Sequence, residues 1–294
     1  MKKLSISMKR RLVQFLSALA INLNLPGFIN GNIYTGQLKG ICVPVLNCYS
    51  CPGALGACPI GALQSSFAAR GGKVAYYVLG SMLLFALTLG RFFCGWLCPF
   101  GALQGLLHKI PVKKAKIPNS VDRPMRYLKY VMLFVMVIAL PLLVRNGVDM
   151  SQPFFCKWIC PAGTLEGGVP LAIANGAVRS ALGGQFILKL SIALLIVTAC
   201  VLIYRAFCKY LCPLGAFYAL FAKLSLYRFK VDAHACIGCG KCAKVCKMGV
   251  DPVKTPNSAE CIRCGDCIGA CPVNAIGRET PFCSRKNAEK ENVE

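Results

Sequence analysis

The sequence predicts an all-α polytopic membrane protein of about four transmembrane helices, followed by a small cysteine-rich α+β domain. The first observation is composition: 56% of the 294 residues are hydrophobic and only 15% are charged, whereas about a quarter of an ordinary soluble domain is charged. The second is a set of long apolar runs, and the third is 20 cysteines that recur at fixed spacings. This apolar content excludes a disordered chain, and the length excludes a small disulfide-rich secreted domain.

Three apolar segments are long enough to cross a bilayer, which requires roughly 20 residues: Val74–Phe93, Tyr127–Val144 and Phe186–Phe207. A fourth segment, from Leu12 to about Phe28, is shorter and contains several polar residues. It is either a retained first helix or a cleaved signal peptide. Its polar positions, and the lack of a linker after it, favour the retained helix.

The distribution of positive charge predicts the topology. Residues 1–11 contain five Lys or Arg and residues 94–129 contain seven, whereas 27–73 and 145–185 contain three each. The positive-inside rule therefore places both termini and the 94–126 loop in the cytoplasm of a multi-pass protein of a bacterial-type inner membrane. The formal charge of +23 also suits nucleic acid. Beside a spanning helix, however, the lysines at 113–116 are typical of a topology signal that contacts anionic membrane lipid, so no nucleic-acid partner is expected.

The most specific motif follows Lys230, where two runs share the spacing Cys-x2-Cys-x2-Cys-x3-Cys. Two such runs are typical of a bacterial 2[4Fe–4S] ferredoxin, in which the fourth cysteine of each run ligates the other cluster. We therefore expect a ferredoxin domain over 231–282 and a disordered tail over 283–294. The first ferredoxin site is Cys236, Cys239, Cys242 and Cys271, and the second ferredoxin site is Cys261, Cys264, Cys267 and Cys246. Zinc is the alternative, but eight cysteines in this doubled arrangement favour clusters.

Another cysteine motif occurs four times before Lys230, as a Cys-Pro pair at 58, 98, 160 and 212. Three copies have a partner four residues earlier, namely Cys94, Cys156 and Cys208. In the first copy the nearest partner is Cys51, with Cys48 just beyond it. Proline suits the first turn of a helix, and the positive end of the helix dipole favours a metal-binding thiolate there.

The order helix, outer motif, helix, inner motif occurs in 12–110 and again in 127–225, so the membrane domain, 1–230, is predicted to consist of two pseudo-symmetric halves. The halves would bring the motifs together in pairs, each with enough thiolates for one further [4Fe–4S] cluster. The inner site is Cys94, Cys98, Cys208 and Cys212, and the predicted outer site is Cys51, Cys58, Cys156 and Cys160. Free thiols at the inner site, and a disulfide between Cys156 and Cys160 in an oxidising space, remain alternatives.

These features together resemble the membrane ferredoxin-type proteins. The residues that carry the resemblance are the Cys-x3-Cys-Pro motifs at 94–98 and 208–212 and the twin cluster runs. The family includes the NapH-type quinol dehydrogenase subunit of periplasmic nitrate reduction and the polyferredoxin part of the NosR type. The resemblance implies electron transfer between a membrane quinone pool and a redox partner, as a subunit of a quinol dehydrogenase-type oxidoreductase.

Two functional hypotheses follow. In the first, the protein relays electrons between a cytoplasmic redox protein and the membrane, with quinone or an exported redox protein at the far terminus. In the second, the clusters serve cofactor assembly or redox sensing without steady turnover. Transport is disfavoured because the spans lack the buried acids or histidines that mark ion paths. A hydrocarbon core of about 30 Å is too thick for one electron-transfer step. The segments Ile60–Ala69 and Ala162–Ala177 are therefore expected to dip inward and carry the outer site with them. No catalytic residue is predicted.

Overall fold

The computed structural model describes residues 5–115 and 117–280, so the predicted tail lies outside the described residues. This part of the chain is mostly helical, with one two-stranded sheet near its C-terminal end. The helices in chain order are α1 Ile6–Ile21, α2 Leu25–Asn30, α3 Pro59–Ala68, α4 Tyr76–Thr88, α5 Phe92–Trp96, α6 Pro99–Leu107, α7 Asn119–Leu143, α8 Phe155–Ile159, α9 Gly163–Gly168, α10 Val169–Ala174, α11 Gly176–Ser180, α12 Gly184–Leu202, α13 Ala206–Tyr210, α14 Pro213–Leu220, α15 Lys241–Val245 and α16 Asp266–Ala270. The strands are β1 Arg228–Val231 and β2 Ile276–Glu279.

Within the described part of the chain, two helices, α7 and α12, are long and apolar enough to cross a membrane. Helix α7 contains the predicted span Tyr127–Val144 and includes wide π-helical turns over Met132–Ala139. Helix α12 begins two residues before the predicted span and ends at Leu202. It ends there because the backbone turns at Arg205, which has a left-handed φ of 51°.

The other two predicted spans form shorter helices, so the prediction of four transmembrane helices is not confirmed. Helix α4 has 13 residues and α1 has 16. At 1.5 Å per residue α4 is about 20 Å long, less than the hydrocarbon core of a bilayer. The predicted continuation to Phe93 is interrupted at Gly90, whose φ of 53° is left-handed. The chain then starts the separate helix α5.

Helix α1 turns polar side chains toward the protein and apolar ones outward. Arg10 and Gln14 are buried, whereas Phe15 is 62% exposed. The Gln14 amide donates to the carbonyl oxygen of Gly95 at 2.8 Å. Arg10 pairs with Asp266 at 2.9 Å. The helix therefore joins the membrane domain to the ferredoxin domain.

The Cys-Pro motifs start helices, as their prolines predict. Cys58, Cys98 and Cys212 are the residues immediately before α3, α6 and α14, each with proline in the first turn. The fourth proline, Pro161, likewise opens a helical stretch that continues through α9 and α10. Helix α14 packs against α3 and α4, so motif helices of the two halves meet inside the protein.

The ferredoxin domain consists of the antiparallel pair β1–β2 and the short helices α15 and α16. The strands pair from Arg228 opposite Glu279 to Val231 opposite Ile276. Strand β1 thus begins at Arg228, three residues before the expected domain boundary at 231. It lies against α5, where the Trp96 indole N–H donates to the carbonyl of Arg263 at 3.0 Å.

Candidate iron–sulfur sites

The structure brings the ferredoxin cysteines together in the two predicted groups. All four residues of the first ferredoxin site line one cavity of about 190 Å³. The four of the second ferredoxin site line another, of about 20 Å³. In both groups the fourth cysteine comes from the other run, as the doubled spacing predicts.

Backbone N–H groups point at the thiols of this domain. The N–H of Ala275 lies 3.2 Å from the sulfur of Cys271, and that of Val250 lies 3.4 Å from the sulfur of Cys246. Left-handed turns at Gly240 and Gly265 start the two short helices between the cysteines. Such N–H donors stabilise thiolate ligands and tune the potential of a bound cluster.

The structure also brings together the four cysteines expected at the inner site. Its four cysteines, two from each half, surround a small closed cavity of about 10 Å³ that Val45, Leu46 and Arg91 complete. The sulfur of Cys98 accepts from the N–H of Gly101 at 3.3 Å, and that of Cys212 accepts from Gly215 at 3.4 Å. Each half therefore presents a thiol at the start of a motif helix.

Two buried glutamines hold the first cysteine of the opposite half, a role that the sequence analysis missed. The Gln104 amide donates to the sulfur of Cys208 at 3.0 Å and accepts from its N–H at 3.4 Å. Gln64 donates to the sulfur of Cys156 at 3.3 Å and accepts from the N–H of Phe155 at 3.0 Å. Both occupy the seventh position of the Cys-Pro motif, so their recurrence in the repeat is the feature of the sequence that could have identified them.

The structure differs from the predicted outer site in one residue, because Cys48 takes the place expected for Cys51. A cavity of about 650 Å³, here called the outer cavity, is lined by Cys48, Cys58, Cys156 and Cys160 but not by Cys51. The N–H of Cys51 bonds to the carbonyl of Cys48 in a tight turn. The two thiols leave that turn in different directions, and the Cys51 sulfur instead lies 3.6 Å from the side-chain oxygen of Asn22.

The inner site and the outer cavity are neighbours. Leu46, which is 3% exposed, lines both. Tyr218 is fully buried near cysteines of both groups, and its hydroxyl donates to the carbonyl of Pro44 at 3.1 Å. The side chains of Leu46 and Tyr218 therefore lie between the two sites. The thickness of a bilayer does not separate them.

The second ferredoxin site lies against the inner site on its other side. A Cβ atom placed on Gly95, between Cys94 and Cys98, would be only 2.3 Å from the carbonyl oxygen of Ile262, next to Cys261. Glycine at this position thus allows the backbones carrying the two sites to touch.

Arg91 connects the same two sites through its side chain. It donates to the carbonyl of Ala259 and to that of Cys208, the latter at 3.2 Å, and it pairs with Glu260 at 3.3 Å. Lys129 pairs with the same carboxylate. Burial alone would raise the pKa of Glu260, but these two cations outweigh it and hold the pKa below its ordinary value.

The donor sets fit cubane clusters. Each group offers four soft sulfur ligands around one space, the ligand set of a [4Fe–4S] cluster. Within the described residues, no three His, Cys, Asp or Glu side chains lie close enough for a single metal ion. Every cysteine that the structure describes is a free thiol, including Cys156 and Cys160.

The remaining cysteines are buried near these sites. Cys42 also lines the outer cavity, and the Cys200 thiol lies 3.4 Å from the side-chain oxygen of Gln104. Cys283 is outside the described residues. Lys247, which stands where the ferredoxin pattern usually has proline, places its ammonium group 5.4 Å from the centre of the Tyr204 ring.

Comparison with known sequences agrees with the cysteine pattern. A 4Fe–4S binding domain family matches 74–118, 130–169 and 186–232, and each stretch contains one Cys-x3-Cys-Pro motif. Two further 4Fe–4S binding domain families match 228–250 and 255–277, one for each ferredoxin run. The first motif, with Cys48 and Cys58, lies outside all of these matches.

Curated relatives come from bacteria and archaea. The ferredoxin-type protein NapH of Haemophilus influenzae is 28% identical over 81% of this chain and 73% of its own length. The putative electron transport protein YccM of Escherichia coli is 28% identical over 58% of this chain and 45% of its own. An uncharacterized protein of Methanocaldococcus jannaschii is 29% identical over 57% of this chain and 56% of its own length. The alignments with these last two thus span about half of each relative.

No solved structure matches the chain. The domain matches, the named relatives and the grouped cysteines nevertheless agree with one another. The chain therefore belongs to the family of 4Fe–4S ferredoxin-type electron-transport proteins that includes NapH.

Proposed function

We propose that this protein carries electrons through four [4Fe–4S] clusters between a cytoplasmic redox protein and the membrane. The observation that carries the proposal is the continuous series of four-cysteine groups. The first ferredoxin site is the most open, since Cys239 is exposed. The second ferredoxin site, the inner site and the outer cavity follow inward, each in contact with the next through Gly95, Arg91 or Leu46.

The surface of the helices supports a membrane location. In the most apolar stretch of α7 only 22% is buried within the protein, and in that of α12 only 17%. The core helix of a soluble protein, in contrast, is mostly buried. Leu195 in α12 is 71% exposed, and Leu12 in α1 is 54% exposed. Lipid chains solvate such faces and water does not. We place the protein in a bacterial-type inner membrane as a multi-pass protein with both termini in the cytoplasm.

The outer cavity is the proposed terminus of the route. Its volume of about 650 Å³ far exceeds that of the inner site, about 10 Å³. This leaves room for a small acceptor beside the fourth cluster. Lys39 and Lys189 line this cavity, and their positive charges would stabilise an oxygen that gains negative charge. A membrane quinone fits this chemistry, and an exported redox protein is the alternative acceptor.

Each part of the chain has a distinct role in this route. Bound clusters supply one-electron chemistry. The sixteen grouped cysteines hold them, while the amides of Gln64 and Gln104 orient the ligands from the opposite half. Tyr218 and Leu46 exclude water between the inner site and the outer cavity, since both are almost fully buried. Such exclusion limits solvent reorganisation during transfer.

Anaerobic iron analysis and quinone oxidation together test the proposal. We expect about sixteen iron atoms per chain, four for each cubane, and rapid reoxidation of the dithionite-reduced protein by a soluble quinone analogue. About eight iron atoms would contradict clusters in the membrane domain. A full complement of iron without reoxidation by quinone would instead favour an exported acceptor, or the assembly and sensing function.

A further inference from the structure

Two buried arginines occupy equivalent positions at the inner site. Arg91 and Arg205 each stand three residues before the first cysteine of an inner motif, and each is 1% exposed. Each guanidinium crosses to the other half: Arg91 donates to the carbonyl of Cys208, and Arg205 donates to that of Cys94. The pair therefore encloses the inner site from both halves.

The charge on Arg205 has no carboxylate partner among the described residues. Glu260 pairs with Arg91, whereas no ion pair within the described residues involves Arg205. The Arg205 guanidinium lies 5.7 Å from the centre of the Tyr204 ring. A buried cation is strongly destabilising unless an anion or a set of hydrogen bonds compensates it. The positive charge of Arg205 thus calls for a negative charge at the inner site that no carboxylate among the described residues supplies.

The Nε–H groups of the two arginines also indicate a missing partner at the inner site. The Nε atoms of Arg91 and Arg205 are buried and have no hydrogen-bond partner among the residues that the structure describes. Buried donors are almost always satisfied in native proteins. Two orphaned donors at symmetry-equivalent positions, beside four thiols, indicate an acceptor located between the two halves.

We propose that Arg91 and Arg205 bind the anionic cluster of the inner site and stabilise its reduced form. Their Nε–H groups donate to cluster or cysteine sulfur, and their charges balance an oxidised cubane with four thiolates, which carries about −2. This inference rests on the proposed cluster at the inner site. Reduction there adds one electron from the second ferredoxin cluster, makes the inner cluster more negative by one charge, and neither forms nor breaks a bond.

The two arginines offset an effect of burial. A low-dielectric site disfavours the more negative, reduced cluster, and two adjacent cations favour it. Arg91 is already paired with Glu260, so the charge of Arg205, which has no carboxylate partner among the described residues, is the one left to favour an added electron at the inner site.

A redox titration of Arg205→Gln, followed by electron paramagnetic resonance in the purified full-length protein, tests the inference. We expect unchanged iron content and a reduction equilibrium constant for the inner cluster at least about tenfold lower, a potential shift of about 59 mV. The exposed Arg179→Gln is the matched control and is expected to leave the potential unchanged. An unchanged inner potential in Arg205→Gln would overturn the inference.

Two further variants separate the possible failures. If Arg205→Gln does not retain iron, Arg205→Lys keeps the charge but lacks the guanidinium donor. A potential below wild type in that variant supports the inference, and a wild-type potential overturns it. Cys208→Ser identifies the inner signal by removing it together with about four iron atoms. If Cys208→Ser retains all iron and all signals, the proposed inner cluster itself is contradicted.

Discussion

The seventh residue of each Cys-Pro motif contacts the opposite half of the membrane domain. Gln104 and Gln64 bind Cys208 and Cys156, the first cysteines of the partner motifs. Glu166, in the same motif position, accepts from the N–H of Cys48 at 2.9 Å. Cys48 thus meets the seventh residue of a motif of the opposite half, as Cys156 and Cys208 do, which supports its assignment as a cluster ligand in place of Cys51.

Serine variants of these two cysteines test the assignment. Cys48→Ser is expected to lose about four iron atoms per chain, because a cubane requires its four thiolates. Cys51→Ser should retain the wild-type iron content, since its sulfur faces Asn22 outside the cavity. Anaerobic iron and sulfide analysis measures both. The reverse pattern, with iron lost only from Cys51→Ser, would restore the original prediction.

At the scale of elements, the short helix α5 connects the two domains. Its residue Gly95 touches the backbone at Ile262, and its last residue, Trp96, bonds to Arg263. Arg263 in turn donates to the carbonyl of Leu89 at 2.7 Å, just before α5. These contacts hold the loop of the second ferredoxin site directly on the inner motif, so α5, together with α1 and Arg91, sets the spacing between the two proposed cluster sites.

Gly95→Ala is expected to separate the two sites. A methyl group 2.3 Å from a carbonyl oxygen must displace the 261–264 loop, and such overpacking costs about 1–3 kcal/mol. We expect a lower unfolding midpoint in anaerobic denaturation and slower electron transfer from the ferredoxin domain to the inner cluster by stopped-flow absorbance. Gly105→Ala in α6, where the methyl group meets nothing within 4 Å, is the control. Equal behaviour of the two variants would contradict the contact.

At the scale of the whole molecule, the membrane domain combines an apolar outer surface with several polar side chains buried in its otherwise hydrophobic core. The interior contains buried Arg91, Arg205, Gln64 and Gln104, while leucines and isoleucines of α1, α7 and α12 face outward. In water this arrangement would be unfavourable, because exposed apolar surface costs about 25 cal/mol per Å². In a bilayer the apolar surface is favourable, and the buried polar side chains lie where the proposed anionic clusters would bind.

An aspartate on the exposed face of α12 tests whether that face contacts lipid or water. Leu195→Asp in α12 should reduce the amount of protein in carbonate-washed membranes, because aspartate at the centre of a spanning helix costs about 3 kcal/mol. Val148→Asp is the control, since Val148 is 63% exposed in a loop outside the spans. Undiminished membrane recovery of Leu195→Asp would contradict a lipid-facing position for α12.

The cysteine spacing by itself determined the two ferredoxin groups and the inner site. Such spacing specifies local structure, because ligands two or three residues apart must lie in one loop and a proline after cysteine starts a helix. Only the tertiary structure decided the rest. Cys48 rather than Cys51 lines the outer cavity because a tight turn directs the two thiols apart. The helices α4 and α12 end early because of left-handed backbone at Gly90 and Arg205. The arginines at the inner site, and the contact of Gly95 with Ile262, join residues more than a hundred positions apart. No local spacing encodes such contacts, since they depend on how the two halves and the ferredoxin domain pack.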